Sequence, residues 1–256
     1  MSTRKSVVCL LSLVLVLSLA GCGETPEEKA RRVKLASVKK IALVCFVGKS
    51  KTNPKGKIHK PLIDGMYEAF RAKAADTRTT EFIPVERVVA DQAYQQVAKI
   101  QMPEGALSPV EGLTYIRYGV EEGQSFDCGP LVRSLGVDAL FAVITEFSVA
   151  IRENGSSPFL TAEVHSGLVA PPEETLWGGQ TLSFEEAMPV SIVSHPKLMG
   201  SIGAKWVFLR PPSEEEYAEL MKIAINKRTK LPTQAGQDLF DGLINSIQTA
   251  RQSAKK

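Results

Sequence analysis

Residues 41–47, IALVCFV, are seven consecutive apolar side chains bounded by Lys40 and Gly48. Successive side chains on a strand point to opposite faces of the sheet. A strand with no polar side must be covered on both faces, which puts it inside a sheet flanked by helices. A second such run, LFAVI, opens a strand expected over 140–151. Two doubly covered strands, with helical periodicity between them, require helices as the covering layer and point to an α/β chain.

The order of elements follows from the remaining patterns. The stretch 48–60, GKSKTNPKGKIHK, reads as a glycine- and lysine-rich loop, and Pro61 fits the first turn of a helix. Leu62, Met66, Ala69, Phe70 and Ala74 then fall near one helical face. EFIPVERVV reads as a second strand, with Pro84 assigning it to an edge or a bulge. Asp91 is placed to cap a helix AYQQVAKIQ. Residues 102–126 are punctuated by Pro103, Gly105, Pro109 and Gly112 and carry only a weak strand signal in TYIRY. Helix propensity returns in GPLVRSLG. After the second apolar strand, Glu153-Asn154-Gly155-Ser156 is a hairpin signal. The returning strand alternates, with Leu160, Ala162, Val164 and Leu168 on one face and Thr161, Glu163, His165 and Gly167 on the other. Pro171-Pro172-Glu173-Glu174 turns the chain into TLWGGQTLSF, where Gly178-Gly179 marks a sharp backbone change.

The stretch 185–212 holds four prolines and reads as irregular, apart from a short strand KWVFL. Ser213 and Glu216 form a capping box for a helix with Tyr217, Leu220, Met221, Ala224 and Ile225 as its apolar stripe. Pro232 ends that helix, and Thr233 caps a last one whose core stripe is Leu239, Phe240, Leu243, Ile244 and Ile247. The tail ARQSAKK is polar and expected to fray. The expected fold is a single α/β sandwich over 41–250, with a mixed sheet, a βαβα start, an antiparallel meander and C-terminal helices.

The amino terminus carries a different signal. Arg4 and Lys5 precede an almost wholly apolar run, Val7–Ala20, and Leu19-Ala20-Gly21 sets small residues directly before Cys22. This is a basic region, a short hydrophobic region and a processing site. The apolar run falls short of the ~20 residues of a spanning helix. LAGC resembles the lipobox of bacterial lipoproteins. The resemblance implies that residues 1–21 are a signal peptide, that Cys22 receives a diacylglyceryl thioether, and that its new amino group is acylated. Gly23 stands where that family's inner-membrane retention signal has Asp, which implies an outer-membrane destination facing the periplasm. Residues 22–40 read as a polar lipidated tether, and 251–256 as a polar tail.

Removal of residues 1–21 leaves 235 residues with 29 basic against 28 acidic side chains. No broad basic field is left for nucleic acid. Cys45 and Cys128 are then the remaining thiols. An export compartment permits a disulfide between them, while the apolar strand around Cys45 equally suits a buried thiol.

Catalytic patterns are thin. Gly48-Lys49-Ser50 lacks the glycine five positions earlier that a phosphate loop needs; Leu43 stands there. His59, His165 and His195 lie in separate segments without metal-ligand spacing, so neither a metal nor another cofactor is expected beyond the lipid on Cys22. Glu163 and His165 share a strand face and form the strongest acid–base pair on offer. Trp177 and the basic loop with Lys49, Lys51, Lys55, Lys57 and His59 are the candidate interaction surface.

A second resemblance rests on 135–180: Leu135-Gly136-Val137-Asp138 leading into an apolar strand, then a turn, an amphipathic strand, Pro-Pro-Glu-Glu, and Trp177-Gly-Gly. In this order the segments resemble the envelope α/β domains of the TolB amino-terminal, curli-secretion CsgG and penicillin-binding-protein activator LpoB type. The expectation is a membrane-tethered, non-catalytic interaction or assembly lipoprotein with a protein partner in the envelope. The alternatives are a secretion-channel-type subunit, or a ligand-binding protein or hydrolase using Glu163 and His165 or the basic loop.

Overall fold

The computed structural model describes residues 24–51, 57–97, 102, 104–114, 127–150, 159–172, 174–188, 199–202, 205–208, 213–226 and 228–254. The strand expected at 41–47 is longer, β1 (Lys40–Ser50), and the one expected at 140–151 is β3 (Ala139–Ala150). They pair in parallel at the centre of a five-stranded sheet. β2 (Glu81–Phe82) adds in parallel at one edge, as Pro84 required. β4 (Phe159–Ala170) and β5 (Glu174–Ala187) continue antiparallel from β3, giving the order β2-β1-β3-β4-β5. The mixed sheet and meander expected from the sequence are both present. The hairpin turn at 153–156 lies outside the described residues, although Ala150 opposite Phe159 sets the pairing it serves.

A bulge in β1 distributes the core. The register with β3 shifts between Leu43 and Cys45, so Val44 and Cys45 both serve the same face. One face of the sheet packs Ile41, Leu43 and Phe46 of β1 with Phe141, Val143 and Phe147 of β3. It is covered by α2 (Lys60–Asp76) and α7 (Leu231–Ser253). Phe70 is the hub there, with its ring centroid 5.6–5.9 Å from those of Phe46, Phe82, Phe141 and Phe240. The other face packs Ala42, Val44, Cys45 and Val47 against α3 (Val85–Ala90), α4 (Gln92–Val97) and α5 (Gly129–Leu135). Tyr94 is wholly buried on this side, and its hydroxyl donates to Val44 O at 2.9 Å. Cys45 and Cys128 are both buried thiols in this second core.

The LGVD segment has a direct role. Gly136 closes α5 in the left-handed region at φ 66°. The Asp138 carboxylate then accepts from the backbone N–H of Lys39 and of Lys40, both at 2.8 Å. It thereby fixes the start of β1 beside the start of β3.

Several expectations are corrected. EFIPVERVV is a strand only at its first two residues; after Pro84 the chain turns into α3, whose Val85 and Val88 are buried. The irregular stretch 185–212 contains a two-stranded antiparallel hairpin, β6 (Met199–Ile202) with β7 (Lys205–Phe208). The side chain of Trp206, on β7, lies outside the described residues. α6 (Glu214–Asn226) has its expected capping box, Ser213 N–H to Glu216 at 2.7 Å. The last helix begins before Thr233: Leu231 N–H and the Thr229 hydroxyl both donate to Glu186 of β5, at 2.7 and 2.6 Å. The expected stripe from Leu239 to Ile247 is buried throughout.

The largest correction concerns the tether. Residues expected to be a solvated linker include α1 (Pro26–Ser37). Thr25 and Glu28 close a reciprocal capping box at its start. Leu35 and Val38 are buried, and Lys34 reaches Pro171 O and the Glu174 carboxylate. Arg251, assigned by sequence to a fraying tail, donates to Ala36 O, Val38 O and Thr79 O. One guanidinium thus ties the end of α7 to the end of α1 and to the approach of β2, satisfying carbonyls that a helix terminus leaves open.

Candidate functional site

The sequence placed its interaction surface at the C-terminal end of β1 and near Trp177. β1 runs further than expected, so Gly48, Lys49 and Ser50 are strand residues. Gly48 also exchanges backbone hydrogen bonds with Leu107, which closes this end of the strand. The lysines form surface ion pairs: Lys49 with Glu146 at 2.6 Å, Lys51 with Glu163 at 3.6 Å, and Lys60 with Asp64. Lys57 is exposed, and Lys55 lies outside the described residues.

His59 is not part of a cationic rim. It is fully buried, 6.4 Å from the Phe147 ring, and its Nε2–H donates to Gly48 O at 2.9 Å. That bond assigns the tautomer and leaves Nδ1 as a buried acceptor with no hydrogen-bond partner among the described residues. Burial holds the imidazole below its ordinary range, against a smaller opposing effect of the Gly48 carbonyl. The unfolded histidine therefore binds a proton more readily than the folded one. Stability contributed by neutral His59 is complete above the unfolded value of ~6.5 and is lost as pH falls through it towards the folded value, by ~1.4 kcal/mol for each unit of difference. Urea titrations at pH 7.5 and pH 5 are expected to show this loss in the wild-type chain. His59→Gln, which keeps a donor but does not titrate, removes that component of the pH dependence.

Glu163 and His165 share the exposed face of β4 but have different partners. The Glu163 carboxylate pairs with Lys51, and His165 Nδ1 lies 3.1 Å from the Thr181 hydroxyl of β5. Among the described residues no three histidine, cysteine, aspartate or glutamate side chains are grouped to hold a metal ion, and no helix is long and apolar enough to cross a membrane.

Trp177 leads to a groove. Its ring lies 6.0 Å from Phe141, and its Nε1–H donates to the Ser246 hydroxyl of α7 at 2.9 Å. The indole is half-buried and forms a wall of a groove of about 790 Å³ between α1, β5 and α7. Leu35, Leu182 and Phe184 add apolar surface; Arg31, Arg32, Glu24, Glu28 and Asp238 add charge. Arg32 donates from Nη2 to Glu24 at 2.6 Å, while its Nε is buried with no hydrogen-bond partner among the described residues. The backbone beside Trp177 is bent where the paired glycines implied. Gly178 has φ 101°, and a Cβ there would lie 2.1 Å from Ser166 O, so only glycine fits this close approach of β5 to β4. The sequence found Trp177 and Gly178 but not the groove, because its third wall is the helix read as a linker.

No protein-family model and no curated protein matches the chain. Two solved structures share part of its course. One is lipoprotein GNA1162 from Neisseria meningitidis, 15% identical, covering 58% of this chain and 83% of its own, with a TM-score of 0.35. The other is the hypothetical protein CT253 from Chlamydia trachomatis, 11% identical, covering 81% of this chain and 98% of its own, with a TM-score of 0.37. Neither superposition is close enough to carry a functional argument.

Proposed function

We propose that the chain is a lipid-anchored, non-catalytic interaction lipoprotein of the bacterial cell envelope, held at the outer membrane through Cys22 and facing the periplasm, and that it docks a protein partner along the outer edge of β5. The observation that carries the docking reading is β5 itself. It is a 14-residue strand at the end of the sheet order, and among the described residues only β4 pairs with it. A strand at the end of a sheet is suited to strand addition by a partner. α1 begins four residues after Cys22 and is held to the start of β5 by Lys34. The lipid would therefore keep this edge close to the bilayer, and confinement raises the effective concentration of a membrane-bound partner.

Two measurements test the reading. Mass spectrometry of the mature protein should show Cys22 as the lipidated amino terminus, and Cys22→Ser should move the protein from the membrane to the soluble fraction. An unmodified Cys22 in native material would end the anchoring proposal. A photo-crosslinking residue at exposed Ser183 on β5 should capture a discrete envelope protein in cells, whereas the same residue at Glu68 on α2 should not. Equal capture at both positions would remove β5 as the docking edge. Turnover by the purified protein that is lost on changing Glu163 or His165 would overturn the non-catalytic reading.

A further inference from the structure

Glu24 and Glu28 of the α1 region line the groove against Trp177, and Cys22 stands two residues before Glu24. Two residues span at most ~7 Å of chain. Any lipid on Cys22 is therefore joined to the chain within ~7 Å of Glu24, a residue of the groove wall. The volume of about 790 Å³ falls in the range of sites that enclose small ligands, ~300–1,000 Å³. Its lining combines apolar and charged side chains. Leu35, Trp177, Leu182 and Phe184 form apolar wall, and Glu24, Glu28, Arg31, Arg32 and Asp238 line the rest with charge.

We infer that the groove between α1, β5 and α7 seats one acyl chain of the lipid carried by Cys22 of the same molecule. The inference rests on the proposed lipidation of Cys22 and adds a destination for the lipid. The charges argue for this occupant over a free anionic lipid. The lining carries Glu24, Glu28 and Asp238 against Arg31 and Arg32, so it has no excess positive charge with which to hold a phosphate headgroup. A neutral chain tethered at the site needs none, because its attachment makes binding intramolecular. A chain held in the groove is withdrawn from the bilayer. Since stable anchoring needs more than one inserted chain, groove occupancy would set how firmly the domain is held.

The test places a photo-crosslinking residue at Phe184 in the full-length protein, expressed in cells, with Glu68 as the control position. After irradiation and proteolysis, mass spectrometry reads which peptide or lipid is joined to the groove peptide. The expected product joins the residue at 184 to the lipidated amino-terminal peptide beginning at Cys22. It should be at least about tenfold more abundant than at position 68, and absent when Cys22→Ser is combined with the same label. An adduct with free phospholipid in its place would assign the groove to bilayer lipid and overturn the inference, as would an absence of any lipid adduct. Mass analysis of the unirradiated protein separates the two levels: an unmodified Cys22 defeats the anchoring reading, whereas a lipidated Cys22 with no adduct at 184 defeats only the seating of the chain. Trp177 fluorescence in a Trp206→Phe background gives an independent readout. Acrylamide should quench it severalfold less in the lipidated protein than in its Cys22→Ser form, and equal quenching would count against the inference.

Discussion

Phe70→Ala is expected to cost about 3–5 kcal/mol, the range for removing a fully buried aromatic side chain. Phe70 is 1% exposed and meets aromatic rings of β1, β2, β3 and α7 at once. Its ring stacks on Phe141 of β3 at an interplanar angle of 17° and meets Phe82 of β2 and Phe240 of α7 edge-on, at 88° and 76°. Alanine at this point loses the transfer free energy of the ring. It also leaves a cavity that β1, β3 and α7 cannot close, because each is held by its own hydrogen bonds. Domains of this kind are stable by ~5–15 kcal/mol, so the loss is a large part of the total. Urea unfolding followed by circular dichroism should show a much lower midpoint with an unchanged slope. A loss under ~1 kcal/mol would mean that the ring is not the packing hub described here.

The second large effect is expected at Gly236, where α7 crosses α2. A Cβ at Gly236 would lie 2.2 Å from the backbone oxygen of Met66. Backbone cannot rotate away as a side chain can, so Gly236→Ala must push the two helices apart. Overpacking of this kind costs ~1–3 kcal/mol, and with a backbone atom in the way the upper end, about 3 kcal/mol, is expected. In a chain of this length that lowers Tm by roughly 6–12 °C. Gly65→Ala, on the facing helix, supplies the control. There the new Cβ meets Pro232 at an ordinary 3.5 Å, and helix propensity favours alanine by ~1 kcal/mol. The pair should differ in sign, and equal destabilisation would place the helices differently from this packing.

How much of this was legible in the sequence depended on whether a signal was local. IALVCFV identified an interior strand because seven apolar residues leave no side for water. Asp91 was legible as a cap because its carboxylate acts on the next two residues' neighbours, Ala93 and Tyr94 N–H at 2.9 and 3.1 Å. The Ser213 capping box and the Leu239–Ile247 stripe were legible for the same reason. EFIPVERVV misled because β-branched residues at 85, 88 and 89 carry strand propensity, while the fold needed a helix to cover Val44 and Cys45. The basic loop misled because the carboxylates that pair with it, Glu146 and Glu163, come from strands a hundred residues away.

The class and order of the fold follow from local pattern alone: two doubly apolar strands, amphipathic helices of sufficient length, and turn residues between alternating strands leave few other arrangements. LAGC at Cys22 is likewise read in one dimension. The tertiary structure decided what no window of sequence contains. It drew α1 out of an apparent linker by giving Leu35 and Val38 a surface on which to pack. It made Glu186 of β5 the cap of α7, and Arg251 the clamp on α1. It turned Trp177 from an isolated aromatic into the wall of a groove between α1, β5 and α7. Each of these depends on partners distant in the chain, and isolated helices of this length gain too little from propensity alone to declare themselves.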